Sequence, residues 1–287
     1  MPIQWYPGHM AKAKREISEA LKNVDIVLEL RDARIPLASK NPMVDEIVGV
    51  KPRLILLNKS NMADRKQTEA WIKYYKNQGI MALDVDSIDK YNIDKVYPYV
   101  KIVLADYIKK QEERGISNVN IRGLIIGIPN VGKSTFINLL AGRKIAVTGD
   151  KPGVTKMNLW ININPYFKIM DTPGILWPKF EDQEIGYKLA ICGSIKDEIL
   201  ELEGIAFKAV EYMKELYPNL LAARYSLNEE EIKSMEAIDV LDAIGEKRGC
   251  LLKKGQIDYN RACKLIINDI RSMKIGAMTL ERPEGNN

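Results

Sequence analysis

The segment with the clearest chemical potential spans residues 127–134 and reads Gly-Ile-Pro-Asn-Val-Gly-Lys-Ser. The apolar run 124–128 overlaps its start and a helical pattern over 135–140 follows, which is the strand, loop and helix context of a P-loop. In such a loop, backbone N–H groups surround phosphate oxygens, Lys133 reaches the β- and γ-phosphates, and the Ser134 hydroxyl binds Mg²⁺. Chance produces the four fixed positions in roughly one chain in a hundred, so the sequence predicts a nucleotide site.

Two downstream features suit the metal ion that accompanies a nucleotide. The apolar run 167–170 ends at Asp171, the first residue of an Asp-Thr-Pro-Gly sequence. This places a carboxylate where it could hold Mg²⁺ through water, with the Gly174 N–H near the γ-phosphate. Thr155 lies in a Gly/Pro-rich loop between the two motifs, and it is either an ordinary loop threonine or the hydroxyl of a nucleotide-dependent switch. We expect Ser134, Thr155 and Asp171 to bind Mg²⁺.

Two upstream segments resemble loops that read a guanine base. The buried run 53–57 leads into Asn58-Lys-Ser-Asn61, and the run 80–85 leads into Asp86-Ser87. These segments resemble the N-K-x-D and S-A-x motifs of GTPases, but here they precede the P-loop, whereas conventional GTPases have the reverse order. Because a nucleotide site requires only spatial adjacency, we expect a circularly permuted domain that is cut after the Asp-Thr-Pro-Gly sequence.

One residue departs from the guanine motif, because Asn61 stands where an aspartate is usual. A carboxylate accepts hydrogen bonds from both the N1–H and the N2 amine of guanine, whereas an amide is half acceptor and half donor. We therefore expect weakened GTP affinity with the other base contacts retained, since sites built on hydrogen bonds discriminate strongly. The NH₂ of Asn61 would also suit the additional oxygen of xanthine.

The predicted nucleotide contacts come from the base loops, the P-loop and the Asp-Thr-Pro-Gly sequence. They are Asn58, Lys59, Ser60, Asn61, Asp86, Ser87, Asn130, Val131, Gly132, Lys133, Ser134, Thr135 and Gly174. Lys133 and Thr155 lie closest to the transferring phosphate in this interpretation, so we also assign them catalytic roles.

The distribution of apolar residues predicts two domains. Short β-rich runs alternate with helical stretches from residue 24 to about 180, which predicts a mainly parallel α/β sheet. Helical periodicity then replaces the strand pattern and predicts an all-α domain. We expect a permuted GTPase domain over 1–180 and a smaller helical, RNA-binding domain over 181–287. The longest predicted helices cover 92–114, 184–217, 229–245 and 257–275.

Composition excludes several classes of protein. The chain has 287 residues, 46% of them apolar and 28% charged, which is ordinary for two globular domains. It begins without an apolar leader, and it has no apolar run of about 18 residues that could span a membrane. Three widely spaced cysteines, Cys192, Cys250 and Cys263, suit a reducing setting and no sulfur-bound metal. These features predict a cytoplasmic protein without a membrane partner.

Basic residues concentrate near the end of the chain. Net charge is +10 over residues 1–179, −10 over 181–246 and +5 over 247–287. A basic stripe on a helix can follow RNA phosphates, although a solvated helix face explains the spacing equally well. The candidate RNA contacts are Lys253, Lys254, Arg261, Lys264, Arg271 and Lys274.

His9 is the single histidine, in the sequence Trp-Tyr-Pro-Gly-His-Met-Ala-Lys. It is either a surface or capping residue, or a catalytic group brought near the γ-phosphate by the permutation. Ile175 follows Asp-Thr-Pro-Gly where Ras-like GTPases present a glutamine that orients the attacking water. Because isoleucine cannot do this, His9 is the candidate base or water-orienting group.

The start of the chain, the permuted motifs and the helical tail resemble the bacterial ribosome biogenesis GTPase A family over nearly the whole chain. The resemblance implies a GTPase with slow intrinsic turnover that the large ribosomal subunit stimulates late in that subunit's assembly. It implies that His9 is catalytic and that Ile175 matches the family's substituted glutamine. Asn130 matches an asparagine with which related GTPases hold K⁺. The implied cofactors are therefore GTP or GDP, Mg²⁺ and K⁺.

The implied partner is a precursor of the large (50S) ribosomal subunit, including its rRNA and proteins, and the implied state is a monomer. Two alternatives stay open from the residues. One is a permuted GTPase that acts on another RNA particle, such as the small subunit or a tRNA. The other is a nucleotide-gated RNA-binding scaffold whose hydrolysis is incidental.

Overall fold

A six-stranded sheet forms the centre of the first structural unit. The computed structural model describes residues 15–144, 160–172, 182–195 and 201–283. The strands are β1 (Ile26–Asp32), β2 (Arg53–Asn58), β3 (Met81–Asp84), β4 (Ile121–Gly127), β5 (Trp160–Asn164) and β6 (Phe167–Asp171). Their spatial order is β3-β2-β1-β4-β6-β5, and every neighbouring pair is parallel except β5 with β6. This confirms the predicted α/β fold with a mainly parallel sheet.

Helices cover the sheet and bury its central strand. Residues 15–21 are helical. The other helices of this unit are α1 (Pro42–Val48), α2 (Arg65–Asn77), α3 (Val96–Val103), α4 (Ala105–Glu112) and α5 (Lys133–Leu140), with a 3₁₀ turn at Ser60–Met62. All seven residues of β1 are buried, as expected for a parallel strand that is covered on both faces. Trp71 and Tyr75 of α2 pack against Ile55 and Leu57 of β2.

Two charged residues of β1 form a buried network. Glu29 and Arg31 are each 2% exposed, and Arg31 Nε donates to Glu29 Oε1 at 2.7 Å. Arg31 Nη1 donates to the Tyr75 hydroxyl at 2.9 Å, and Arg53 lies 3.2 Å from the second Glu29 oxygen. Burial raises the pKa of Tyr75 to about 12, although Arg31 opposes this rise, so the hydroxyl is neutral at physiological pH. Because loss of one partner would leave a buried charge uncompensated, the network fixes α2 against the sheet.

The described residues of the second structural unit, 182–195 and 201–280, form helices and the loops that connect them. Its helices are α6 (Gln183–Ile191), α7 (Leu202–Leu216), α8 (Pro218–Tyr225), α9 (Glu229–Ser234), α10 (Ala237–Lys247) and α11 (Tyr259–Arg271). The longest helix, α7, packs against α6, α10 and α11. Among the described residues of both units, no helix has the length and apolar character that crossing a membrane requires.

Three helices that the periodicity predicts as continuous are interrupted. The predicted helix 229–245 divides into α9 and α10, because Met235 and Glu236 have an extended backbone. The predicted helix 92–114 begins only at Val96, because Asn92 takes a φ of 57° and its amide donates to the Asp84 carbonyl oxygen at 3.0 Å. Leu104 then separates α3 from α4. In the predicted helix 184–217, α6 ends before Gly193, whose φ is 76°. Residues in the left-handed region end helices, and hydrophobic periodicity does not reveal them.

The end of the chain belongs with the sheet and not with the helical unit. Glu281 is 6% exposed, and its carboxylate accepts hydrogen bonds from the backbone N–H groups of Leu37 at 2.6 Å and Ala38 at 3.0 Å. Its carbonyl oxygen accepts a bond from Trp71 Nε1 at 3.3 Å. The assignment of 281–287 to the helical domain is therefore corrected for residues 281–283, which three long-range bonds attach to the sheet unit.

We expect Glu281→Ala to lower the free energy of unfolding by about 2 kcal/mol, because it removes an acceptor and leaves two partly buried N–H groups unsatisfied. Glu112→Ala is the matched control, since Glu112 is exposed on α4, and its effect should stay within about 0.5 kcal/mol. Urea denaturation followed by tryptophan fluorescence measures both variants. Equal stability of the two variants would contradict a structural role for the Glu281 carboxylate.

Candidate nucleotide site

The P-loop connects β4 to α5 through a close backbone approach and positive φ angles, both of which favour glycine. A Cβ on Gly127 would lie 2.9 Å from the Leu30 carbonyl oxygen, so β4 and β1 are too close for a side chain here. Gly132 takes a φ of 96°, and a Cβ there would collide with the Asn58 amide nitrogen. Asn130 also takes a positive φ, 57°. These conformations turn the backbone at the N-terminus of α5, which is a suitable geometry for binding an anion.

Asn58 connects the P-loop to the loop that follows β3. Its side chain is 1% exposed, and Nδ2 donates to the Val131 carbonyl oxygen at 2.8 Å. Its Oδ1 accepts a bond from Ser87 Oγ, also at 2.8 Å. The base motifs and the P-loop therefore meet at one edge of the sheet, although Asn58 and Val131 are 73 positions apart in the chain. This adjacency is what the permuted order of motifs predicts.

Lys59 binds the other side of the P-loop. It takes a left-handed conformation with a φ of 60°, and its Nζ donates to the Asn130 carbonyl oxygen at 2.9 Å. The same nitrogen lies 3.0 Å from Asp32 Oδ2 at the end of β1. Asn58 and Lys59, at and directly after the end of β2, thus hold consecutive parts of the P-loop.

Asp32 is a residue of this site that the sequence reasoning missed. It is fully buried, and Arg34 binds both of its oxygens, at 2.9 and 2.8 Å. Burial by itself raises the pKa of Asp32, but the charges of Arg34 and Lys59 outweigh it and hold that pKa well below its ordinary value. The available signal was its position, because Asp32 ends a buried strand at the same carboxyl edge as Asn58 and Asp171.

Lys133 and Asp171 affect each other electrostatically at the phosphate end of the site. Burial lowers the pKa of Lys133 and raises the pKa of Asp171, and each charge partly opposes the shift of the other. Asp171 Oδ1 is buried and has no hydrogen-bond partner among the described residues. The neighbouring Thr172 hydroxyl donates to the Ile125 carbonyl oxygen at 2.7 Å, which fixes the end of β6 beside β4.

This arrangement fits a hydrated Mg²⁺ ion. A buried carboxylate oxygen requires a partner, and water on Mg²⁺ would supply one. Ser134 lies in the first turn of α5 directly after Lys133, so its hydroxyl belongs to the same end of the sheet. Among the described residues no three His, Cys, Asp or Glu side chains cluster as a protein-only metal cage. A Mg²⁺ ion at Ser134 and Asp171 therefore needs phosphate oxygens to complete its coordination.

The remaining base-site residues differ in what they contact. Asn61 Nδ2 donates to Asp89 Oδ2 at 2.8 Å, a partner that the sequence reasoning did not foresee. Asp86, which is predicted to contact nucleotide, accepts hydrogen bonds from the N–H groups of Ile88 and Asp89, each at 2.7 Å. It therefore shapes the loop after β3. The Ser60 N–H donates to the Val85 carbonyl oxygen at 3.2 Å, which joins this loop to the one after β2.

Four predicted residues lie outside the described part of the chain. They are His9, Thr155, Gly174 and Ile175. Thr135 is described and lies exposed beside Ser134 at the start of α5.

The predicted RNA contacts separate into two groups. Lys253, Lys254, Arg261, Lys264 and Lys274 are exposed. Arg271 is the exception, because its guanidinium donates to the carbonyl oxygens of Ala190 at 2.6 Å and Ile191 at 3.2 Å. These carbonyls lie in the last turn of α6, where the Ala190 oxygen also accepts a bond from the Gly193 N–H at 2.9 Å. The spacing placed Arg271 on the basic stripe, and the structure adds that its head group stabilises a helix end, so its contact with RNA stays a prediction.

Several known proteins are similar to this chain in sequence and in fold. A family profile described as "50S ribosome-binding GTPase" matches residues 122–236, starting at β4 and leaving out the base loops, which come earlier in the chain. The ribosome biogenesis GTPase A of Bacillus cereus is 48% identical over 99% of this chain and 95% of that protein. This chain belongs to the ribosome biogenesis GTPase A family. It is a GTPase, and the predicted family resemblance is confirmed.

Two solved structures of YlqF resemble this GTPase over most of its length. The GDP-bound form is 29% identical, covers 94% of this chain and 100% of that one, and has a TM-score of 0.65. The GNP-bound form from T. maritima is 30% identical, covers 95% and 99%, and has a TM-score of 0.64.

We expect Asn58→Ala to weaken GDP binding by about 100-fold, because two buried hydrogen bonds that hold the P-loop against the base loops are lost. Asn77→Ala is the control, since Asn77 is exposed at the end of α2. Displacement of a fluorescent GDP analogue measures both affinities. Wild-type affinity in Asn58→Ala would show that the P-loop holds its conformation without this amide.

Proposed function

We propose that this GTPase acts in ribosome biogenesis, on a late precursor of the large ribosomal subunit, and that the subunit stimulates GTP hydrolysis. The observation that carries the proposal is similarity over 99% of the chain to a protein named ribosome biogenesis GTPase A. The description of the matching family profile, a 50S ribosome-binding GTPase, favours the large subunit as the partner. The proposed setting is the cytoplasm, and the proposed state is a monomer.

The site geometry supports GTP as the ligand that controls this activity. Asn58 and Lys59 hold the P-loop at Val131 and Asn130, and the Lys133 ammonium lies buried where a phosphate would carry negative charge. Ser134 and Asp171 would hold Mg²⁺, which neutralises charge on the phosphates when bound. In this proposal Thr155 and Gly174 contact the γ-phosphate, so GTP and GDP favour different conformations of their loops.

Hydrolysis needs a group that orients water, and we assign this role to His9. Ile175 cannot act as a glutamine does in Ras-like GTPases. A histidine that the ribosomal subunit positions near the γ-phosphate would make hydrolysis depend on the partner, and hydrolysis would then favour release. Asn130 would hold K⁺, whose charge would stabilise the transferring phosphate.

GTP hydrolysis should be stimulated by purified large subunits and not by small subunits. We expect at least a tenfold increase in steady-state rate in K⁺ buffer, a smaller one in Na⁺ buffer, and none in His9→Ala. GDP binding by His9→Ala serves as the control, because a water-orienting role predicts unchanged nucleotide affinity. Equal rates in K⁺ and Na⁺ would remove the K⁺ assignment, and stimulation by small subunits would favour another RNA particle.

The exposed basic residues of α11 provide a test of subunit binding. Arg261→Glu with Lys264→Glu should weaken binding to the large subunit by about tenfold or more and lower the salt dependence of binding by about two ion equivalents, because two phosphate contacts are lost. Lys214→Glu with Lys233→Glu is the matched control, which makes the same charge change in the acidic region of the helical unit. Equal affinities of the two double variants would count against an RNA-binding role for α11.

A further inference from the structure

We propose that Asp89 supplies the carboxylate of the guanine site, and that Asn61 and Asp89 recognise the N1–H and N2 edge of the base as one pair. The usual guanine motif places the acid at the position of Asn61. Here the acid comes from the loop after β3. This inference concerns base recognition by the GTPase, so it holds or fails independently of the ribosomal partner.

The structure brings the two side chains together. Asn61 lies in the 3₁₀ turn after β2, three residues from Asn58, and its Nδ2 donates to Asp89 Oδ2 at 2.8 Å. Asp89 lies two residues after Ser87, whose hydroxyl binds Asn58. Both side chains therefore extend from the two loops that the Asn58 amide joins, and both are exposed where a base would approach.

The loop conformation fixes where the Asp89 carboxylate lies. The buried Asp86 side chain accepts hydrogen bonds from the N–H groups of Ile88 and Asp89, each at 2.7 Å. The Asp86 N–H in turn donates to the Tyr91 carbonyl oxygen at 3.1 Å. The backbone on both sides of Asp89 is thus held, so its short side chain reaches Asn61 with little loss of conformational entropy.

The hydrogen-bond chemistry determines the direction of the Asn61 amide. A carboxylate only accepts hydrogen bonds, so the NH₂ of Asn61 must face Asp89, and its Oδ1 is left as an acceptor. Asp89 has further lone pairs beyond the one that Asn61 uses. The pair therefore presents acceptors and one negative charge, which is what the two N–H groups of guanine require. A lone asparagine would instead present a donor, which suits xanthine.

This arrangement makes the residues at 61 and 89 dependent on each other. Asn61→Asp restores the usual motif but places two carboxylates at the 2.8 Å contact, where like charges repel. The double exchange Asn61→Asp with Asp89→Asn restores one acid and one amide in reversed positions. The affinity for GDP should therefore depend on the combination of residues at positions 61 and 89, and not on residue 61 alone.

The test compares affinities for GDP, IDP, XDP and ADP by displacement of a fluorescent GDP analogue from the full chain. IDP lacks the N2 amine and XDP carries an oxygen in its place. We expect the wild-type protein to prefer GDP over XDP and ADP. Asp89→Asn should weaken GDP binding by about 10- to 100-fold, as expected for loss of a charge-assisted bond, and lower the ratio of GDP to XDP affinity at least tenfold.

Two further variants make the result decisive. Asp94→Asn removes an exposed carboxylate later in the same connection and should leave all four affinities within twofold. The double exchange should return GDP affinity to within about threefold of wild type, whereas Asn61→Asp alone should not tighten GDP binding. An unchanged GDP to XDP ratio in Asp89→Asn would overturn the proposal. Tighter GDP binding in the single variant Asn61→Asp, which keeps Asp89, would overturn it as well.

Discussion

The side-chain amide of Asn58 is the interaction on which the nucleotide site depends. It is buried and uses both of its ends, donating to Val131 in the P-loop and accepting from Ser87 in the loop after β3. Because a buried amide must satisfy both groups, the two loops can move apart only at a cost of a few kcal/mol. The close approach at Gly132 follows from this, since any side chain there would displace Asn58.

Strand order explains why the site forms although the motifs occur in reversed order. β2, β1 and β4 are neighbours, with Leu30 paired to both Leu56 and Gly127. Their carboxyl ends therefore lie together whichever strand comes first in the chain. Parallel pairing and burial on both faces determine these neighbours, and neither depends on where the chain is cut. The permutation changes the loops that connect the strands, but it does not change the edge of the sheet that binds the nucleotide.

Local signals in the sequence were sufficient to predict the sheet and the P-loop. Apolar runs, glycine spacing and the strand before Lys133 all act within about ten residues, so periodicity and motif reasoning could find them. Asp32 and Asp89 escaped because their roles come from partners that only the fold brings near: Arg34 and Lys59 for the first, and Asn61 for the second. An aspartate that follows a strand is also common in ordinary turns.

Two further contacts were out of reach of the sequence for a similar physical reason. Arg271 has the spacing of a basic stripe, but α11 also places it beside the end of α6, where the carbonyl oxygens of Ala190 and Ile191 accept its guanidinium. Glu281 has no periodic pattern around it, and only its contacts with Leu37 and Ala38 reveal that it binds the sheet unit. Spacing indicates which face of an element a residue shares, and it does not indicate which partner lies opposite that face.

The chain leaves the sheet unit after β6 and returns to it at Glu281. Along the chain the helical unit follows β6, the strand that ends at Asp171, and it is followed by Glu281, which binds the sheet unit. One attachment therefore begins at the candidate magnesium residue, and the other is a buried carboxylate with two backbone donors. The hydrogen bonds of Glu281 therefore return the chain to the sheet unit after the helical unit, so residues 281–283 contribute to the stability of the sheet unit although they follow the helices in sequence.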